Sequence, residues 1–232
     1  MIYYTYIYME ERKKQILNTI VEEHIETGLP VGSSLLVEKY KLGVSPATVR
    51  NIMSDLEEKG YIAQPHTSAG RVPTEKAYKL LLEDLGEGKL KEKEIEAINE
   101  VFSHDADFRK VAKALAQTAQ TAVFWARDEN DLYYTGMSNL FRQPEFSSAE
   151  NIYDMGEVID RMDEIVEGIF SEVDFEPEIL IGSDNPFGDS CSSIVVKYRD
   201  GEDVGIFGIL APMRMDYERS LAIIKYILDK LK

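Results

Sequence analysis

Apolar residues recur at i, i+3 and i+4 from Glu10 to Glu26: Ile16, Leu17, Ile20, Val21 and His24/Ile25 form one stripe, with Arg12, Lys13 and Lys14 on the outer side. This spacing predicts an amphipathic helix, stopped by Thr27-Gly28-Leu29-Pro30. A second short helix opens at Gly32-Ser33, with Ser33 or Ser34 as its cap and Leu35, Leu36 and Tyr40 inward. After a turn over Lys41–Val44, Ser45 is a good N-cap and Pro46 suits the first helical position, where its missing N–H has no intrahelical acceptor. Val49, Ile52 (or Met53) and Leu56 then face inward, and Gly60 ends the helix. Tyr61–Ala63 reads as a short strand, Pro65–Arg71 as a tight polar loop, and Pro73-Thr74 starts a helix with Tyr78, Leu81, Leu82 and Leu85 on one side.

Gly86-Glu87-Gly88 followed by KLKEKE is the sharpest composition shift, and a domain boundary is placed there: 1–85, a linker or helix over 86–104, and 105–232. Residues 90–102 keep a stripe of Ile95, Ile98 and Phe102, and a further helix capped by Asp105 (or Ser103) carries Phe108, Val111, Leu115 and Ala119. Strands are expected at Thr121–Ala126 and Leu132–Thr135, separated by a turn. One long amphipathic helix is expected over Glu150–Phe170, with Ile152, Met155, Ile159, Met162, Val166 and Ile169 inward. Strands at Glu178–Ile181, Ser193–Arg199 and Val204–Leu210 follow, the last two joined at Asp200-Gly201 by a loop longer than two residues. A helix over Asp216–Lys230 with Leu221, Ile224 and Leu228 inward closes the chain. Helices flanking an antiparallel sheet make the second part an α+β domain of a sensor-like kind.

Composition changes the picture in two ways. A single cysteine among 232 residues excludes an internal disulfide framework and suits a reducing cytoplasm. No apolar run approaches the roughly 20 residues that span a bilayer, so no membrane partner is expected. The opening MIYYTYIYM lacks a basic leader and reads either as an extra strand or as an artefact of start-site choice, with Met9 as the true beginning. Net charge is −16, which by itself argues against a nucleic-acid partner. The acidity is uneven: residues 1–85 carry 10 Lys+Arg and 12 Asp+Glu, whereas residues 86–232 carry 16 and 30. The first part is therefore nearly neutral but has no basic stripe, so contact with DNA would be weak for one copy, which favours a dimer. The acidic second part would be repelled by phosphate and face away from it.

The outer face of the helix after Ser45 carries Ala47, Arg50, Asn51 and Ser54, small or hydrogen-bonding residues with one cation. Such a face can enter a major groove, where Arg50 reaches guanine and Asn51 reaches adenine or phosphate. Helix, strand, basic-tipped loop and return strand outline a winged helix-turn-helix, with Arg71 at the loop's tip. Arg12, Lys13 and Lys14 read as a solvated face, and His66 as a loop-shaping residue within reach of the DNA backbone. His24, His66 and His104 are far apart and lack cysteine partners at zinc spacing, so neither a metal nor a cofactor is expected. Cys191 in GDSCSS reads as a small buried or strand-edge residue, because GxSxG is absent. Asp154, Glu157, Asp160, Asp163, Glu164 and Glu167 read as the solvated face of one helix. Gly205 and Gly208 mark close packing or a bulge within a strand. Arg214 and Asp216 are expected to pair at the start of the last helix. No set of nucleophile, base and oxyanion donors converges, so an enzyme is not expected.

TGLPVGSSLL at 27–36 and VSPATVRNIMSDLEEKGYIAQPHTSAGRVPTEKAY at 44–78 resemble the HrcA family of bacterial heat-inducible transcription repressors. Further matches are NLFRQPEF at 139–146, IGSDN at 181–185 and APMRMDYERSL at 211–221. The resemblance implies a homodimeric, cytoplasmic repressor with a winged-helix domain and a GAF-like regulatory and dimerisation domain. It implies binding to an inverted-repeat operator of the CIRCE type in double-stranded DNA upstream of chaperone genes, with a GroE-type chaperonin keeping the repressor active. Carried onto this chain, Ser45, Thr48, Arg50, Asn51 and Ser54 fall on the recognition helix, and His66, Thr67, Ser68 and Arg71 on the wing. One departure stands out: TAVFWA runs almost directly into LYYTGMSNLFRQPEF, so the domain that family members insert into the GAF-like part is missing here. A different class of reading remains beside it, a metabolite-responsive regulator whose GAF-like domain binds a small molecule.

Overall fold

The computed structural model describes residues 11–67, 69–102, 107–128 and 131–231. The opening stretch, Ser68, and the cap expected at Asp105 or Ser103 lie outside these residues. The chain divides into two compact units, Met1–Leu85 and Gly86–Lys232.

In the first unit, α1 (Glu11–Thr27), α2 (Ser33–Tyr40) and α3 (Pro46–Glu58) are followed by β1 (Ile62–Ala63), β2 (Val72–Pro73) and α4 (Glu75–Glu83). Ile16, Leu17, Ile20 and Val21 of α1 are buried with Leu36, Val49, Met53 and Leu56, so Met53 is the inward residue where the spacing left Ile52 as an alternative. Two expectations are corrected in α2. Gly32 is the N-cap, without a side-chain hydrogen bond, and Leu35 is 42% exposed while Leu36 alone is fully inside. Eight residues make only about two turns, too short for a continuous apolar stripe, and Leu36 is the position that ends fully buried. In α4, Ala77, Tyr78 and Leu80 are the buried set, with Leu81 and Leu82 half-buried. Thr74 caps α4 by position only, because its hydroxyl donates to the Gly60 and Tyr61 carbonyls instead.

The helices α1 and α2 are clamped by one inward acid. Glu23 is 3% exposed and its Oε2 accepts from Lys39 Nζ at 2.7 Å and from the Tyr40 hydroxyl at 2.9 Å. The hydrogen bond from Lys39 holds the Glu23 carboxyl below its ordinary value, against the opposing effect of burial. Burial and that same carboxylate push the Tyr40 phenol up to about 12.

The second unit begins with α5 (Glu92–Phe102) and α6 (Phe108–Ala119), the latter capped by Asp107, whose carboxylate accepts from Arg109 N at 3.1 Å. Then come β3 (Ala122–Ala126), β4 (Leu132–Thr135), α7 (Met137–Phe141), a single tight turn at Pro144–Ser147, α8 (Ala149–Asp160) and α9 (Met162–Phe170). The long helix expected over 150–170 is thus two helices, broken at Arg161, where φ is −112 and ψ 17. Met155, Met162, Val166 and Ile169 stay inward across the break, but Ile152 is 46% exposed. The acidic residues Asp154, Glu157, Asp160, Asp163, Glu164 and Glu167 are all exposed.

The strands β5 (Glu178–Ile181), β6 (Cys191–Asp200) and β7 (Asp203–Pro212) complete an antiparallel sheet in the order β4-β3-β7-β6-β5, and α10 (Tyr217–Leu231) follows. The β6–β7 ladder runs unbroken from Cys191↔Pro212 to Asp200↔Asp203, longer than expected. Its loop is therefore two residues, with Gly201 at φ +65 in the first position, where two-residue hairpins favour glycine. Gly205 and Gly208 mark close packing and no bulge: an added Cβ at Gly208 would lie 2.6 Å from the Ile194 carbonyl oxygen.

Both faces of this sheet are covered. Phe124, Phe146, Met155, Met162 and Phe187 fill one, below α7 to α9. On the other, Trp125 stacks on Phe207 with centroids 4.4 Å apart and donates its indole N–H to Tyr198 at 2.7 Å. The buried stripe of α10 is Tyr217, Ser220, Ile223, Ile224 and Ile227, one position away from the expected Leu221 and Leu228. Arg214 pairs with Glu145 and Gln143 and so ties the Pro144 turn to the end of β7. Asp216 instead accepts from Arg219 N at 3.1 Å. Cys191 starts β6 fully buried, and burial pushes its thiol up to about 12, which leaves no thiolate for chemistry at neutral pH.

Candidate nucleic-acid interface

The helix α3 starts where its sequence directs. Ser45 Oγ accepts from Thr48 N at 3.1 Å, and the two hydroxyls lie 3.0 Å apart, so one first-turn donor is satisfied. Val49, Met53 and Leu56 anchor the inner face, which leaves Ser45, Ala47, Thr48, Arg50, Asn51 and Ser54 exposed on a common outer surface. Ser54 donates its hydroxyl to the Arg50 carbonyl at 3.1 Å, a local bond that leaves its lone pairs outward. Arg50 makes no side-chain hydrogen bond or ion pair among the described residues.

Beside this surface, β1 and β2 pair antiparallel through Ile62↔Pro73 and Ala63↔Val72. The connecting loop is braced from within, because Gln64 Nε2 donates to the carbonyls of Thr67 and Ala69 at 3.0 and 3.1 Å. Pro65, His66 and Thr67 are exposed, whereas Ser68 lies outside the described residues. The loop's return limb is stitched to the segment before α2: Val31 N donates to the Arg71 carbonyl at 2.8 Å, and Arg71 N to the Val31 carbonyl at 2.9 Å. Gly70 makes that approach possible, since a Cβ there would sit 2.4 Å from the Val31 oxygen.

Arg71 is accordingly not at the loop's tip, which corrects the expectation from sequence. It sits at the base, 19% exposed in its side chain, with Nε and Nη2 donating to Glu57 Oε2 at 3.0 and 2.9 Å. The cause is the Val31 bridge, which draws residue 71 back against α3. Sequence reading missed Glu57, whose signal was weak: an acid in the last turn of a helix whose dipole disfavours it there. Arg50, Arg71, Gln64, Ser33 and Ser34 line one groove of about 380 Å³, so the structure gathers α3, the start of α2 and the loop around a common depression. The α1 cations face other duties: Lys13 pairs with Asp55 at 3.1 Å and Lys14 with Asp84 at 2.7 Å, while Arg12 donates to the Leu42 carbonyl.

The family model described as the HrcA protein C terminal domain matches residues 49–221, most of the chain. The chain belongs to the HrcA family. A heat-inducible transcription repressor HrcA from Carboxydothermus hydrogenoformans is 26% identical, covering 94% of this chain and 96% of that protein. That alignment runs over 328 positions, far more than the 232 residues here, so the Carboxydothermus protein carries stretches with no counterpart in this chain. The Pelotomaculum thermopropionicum HrcA is 38% identical over 69% of this chain, which is 48% of its own length. The Thermobifida fusca HrcA reaches 51% identity over 44% of the chain and 30% of its length. This chain thus matches about half or less of the last two relatives. A crystal structure of a hypothetical protein at 2.2 Å resolution shares the fold, with a TM-score of 0.71 at 19% identity over 96% of each chain. Those HrcA relatives are named as transcription repressors, and the family is not one of enzymes. Among the described residues, no helix is long and apolar enough to cross a membrane.

Proposed function

We propose that this HrcA-family chain is a heat-inducible transcription repressor whose first unit is a winged helix that binds DNA and whose second is GAF-like. On this reading two copies bind an inverted-repeat operator of the CIRCE type, each laying α3 in a major groove while the loop over 64–71 meets the adjoining backbone and minor groove. Ser45, Thr48, Arg50, Asn51 and Ser54 supply the groove face, and His66, Thr67, Ser68 and Arg71 the loop contacts. The single observation that carries the reading is the capped, outward polar face of α3, with an unengaged Arg50, beside a loop tied to Val31. A polar face whose hydrogen-bonding groups are exposed side by side suits base edges and phosphates better than it suits a protein core.

The repressor's second unit then serves assembly and control in the cytoplasm, with a GroE-type chaperonin as the partner that the family resemblance implies. The insert that this chain lacks falls, on this reading, between β3 and β4, which here pair as a hairpin from Val123↔Thr135 to Ala126↔Leu132. The metabolite-responsive alternative needs room inside that unit, and the sheet face below α7 to α9 is filled by buried Phe124, Phe146 and Phe187. The test is a mobility-shift titration on a CIRCE-type inverted-repeat duplex. Wild type binds with a steep salt dependence, and Arg50→Ala and Arg71→Ala each weaken binding by about tenfold or more. Undiminished binding by Arg50→Ala removes Arg50 from the contact, and binding equal to that of a scrambled duplex overturns the function.

A further inference from the structure

Glu57 is a costly residue in its place. It lies in the last turn of α3, where the helix dipole opposes a negative charge, and it adds an acid beside a surface assigned to a polyanion. The nearby cations Lys13 of α1 and Lys59 at the end of α3 do not explain it, because both pair with Asp55 at 3.1 Å. What Glu57 does is accept both Nε and Nη2 of Arg71 on one carboxylate oxygen. The Arg71 backbone is meanwhile fixed at both N–H and carbonyl by Val31. The guanidinium is therefore held at its root and along one edge. The Nη1 donors at the other edge have no partner among the described residues, in a groove that Arg50 shares.

We infer that Glu57 is a positioning residue that sets the DNA discrimination of Arg71, trading charge for orientation. The inference rests on the DNA-binding reading above and names the residue that makes its loop contact selective. A guanidinium on a flexible stem follows phosphate anywhere along a duplex. One held side-on by a carboxylate presents a fixed fork, so it gains most from a groove edge of matching shape and little from others. The carboxylate's own charge lowers binding to every sequence alike, since phosphate attraction carries no sequence information. Glu57 thus weakens binding to any duplex while widening the gap between the operator and the rest.

Two substitutions separate these effects, each measured on the full-length chain with a CIRCE-type inverted-repeat duplex and a scrambled duplex of the same length. Glu57→Gln removes the charge and the ion pair, so scrambled-duplex binding tightens at low salt while the operator-to-scrambled ratio falls by about tenfold, the discrimination of one good contact. Glu57→Asp keeps the charge but shortens the arm, so the ratio falls without tighter scrambled binding. In an Arg71→Ala background neither substitution moves the ratio, because the group through which Glu57 acts is gone. A purely structural role would instead lower the melting temperature and weaken both duplexes in parallel. The inference is overturned if Glu57→Gln keeps the wild-type ratio, or if the ratio falls as much without Arg71 as with it. Failure of the unmutated chain to prefer the operator is a different result, which removes the DNA-binding reading and this inference together.

Discussion

At the scale of single residues, the start of α3 shows how one hydroxyl serves both folding and the proposed contact. Ser45 satisfies the Thr48 N–H from outside the helix, in extended backbone with φ −75 and ψ 155. Pro46 follows at the first helical position, where its lack of an N–H costs nothing. Ser45→Ala leaves that donor to water and lowers unfolding free energy by about 0.5–2 kcal/mol in a urea titration. Ser45→Asp restores the acceptor and with it the stability, yet it brings a negative charge to the proposed groove face. Operator affinity therefore falls in the aspartate variant although its stability does not. If stability and affinity move together in both variants, Ser45 is a cap and no more. Arg71 shows the limit of reading single residues from sequence. Its type was the signal, and its position at the base of the loop follows from a bridge to Val31, 40 residues away, that no local pattern encodes.

At the scale of elements, the helices and strands follow hydrophobic spacing closely, and the deviations have physical reasons. The break at Arg161 was invisible because it takes up one residue: Met155, Met162, Val166 and Ile169 keep helical spacing through it. Ile152 and Leu35 share the period of their stripes but are exposed, since periodicity tells which residues lie on one face, not whether anything covers it. The two-residue hairpin at Gly201 was missed because Glu202 and Asp203 look like loop residues, whereas Asp203 pairs with Asp200 as the last rung of the ladder. The GAF-like reading of this α+β unit came from family resemblance, not from spacing. The α1–α2 clamp was equally hidden, a buried acid on a stripe that composition reads as polar.

That clamp makes a pH prediction whose sign is fixed by the direction of the Glu23 shift. Its carboxyl lies below the ordinary value of 4.5 when folded, held there first by the Lys39 hydrogen bond. The stabilisation is thus present in full above that ordinary value and is lost as pH falls through the lower folded one. Glu23→Gln removes the charged hydrogen bonds, costs about 1.5–3 kcal/mol near neutrality, and flattens the acid limb of the stability curve. Thermal melts between roughly pH 3 and pH 6 read both effects against the 4.5 reference. An acid limb as steep in the variant as in wild type would assign the loss to other carboxylates.

At the scale of the whole molecule, charge and valency set what one copy can do. Residues 1–85 carry 10 basic and 12 acidic side chains, and several of the bases are already engaged: Lys13 and Lys59 on Asp55, Lys39 on Glu23, Arg71 on Glu57. Residues 86–232 add 30 acids against 16 bases, which repel a duplex at any distance that salt does not screen. On the proposed reading, a winged helix with so many of its cations engaged binds a half-site weakly. Joining two copies through their second units would then make the second contact intramolecular and multiply affinity by about 10² to 10⁴ without a new kind of interaction. The comparison that reads this uses the full-length chain on two duplexes of equal length, one with both halves of the inverted repeat and one with a single half and a scrambled partner. The complete repeat binds tighter by that factor, its complex contains two chains by mass, and its affinity falls more steeply with salt because more phosphates are engaged at once. Inserting five base pairs between the halves rotates them by about half a helical turn and abolishes the gain, while inserting about ten restores part of it. Equal affinity for the half and the whole would show that this HrcA-family chain binds as independent copies and that pairing is no part of its contact with DNA.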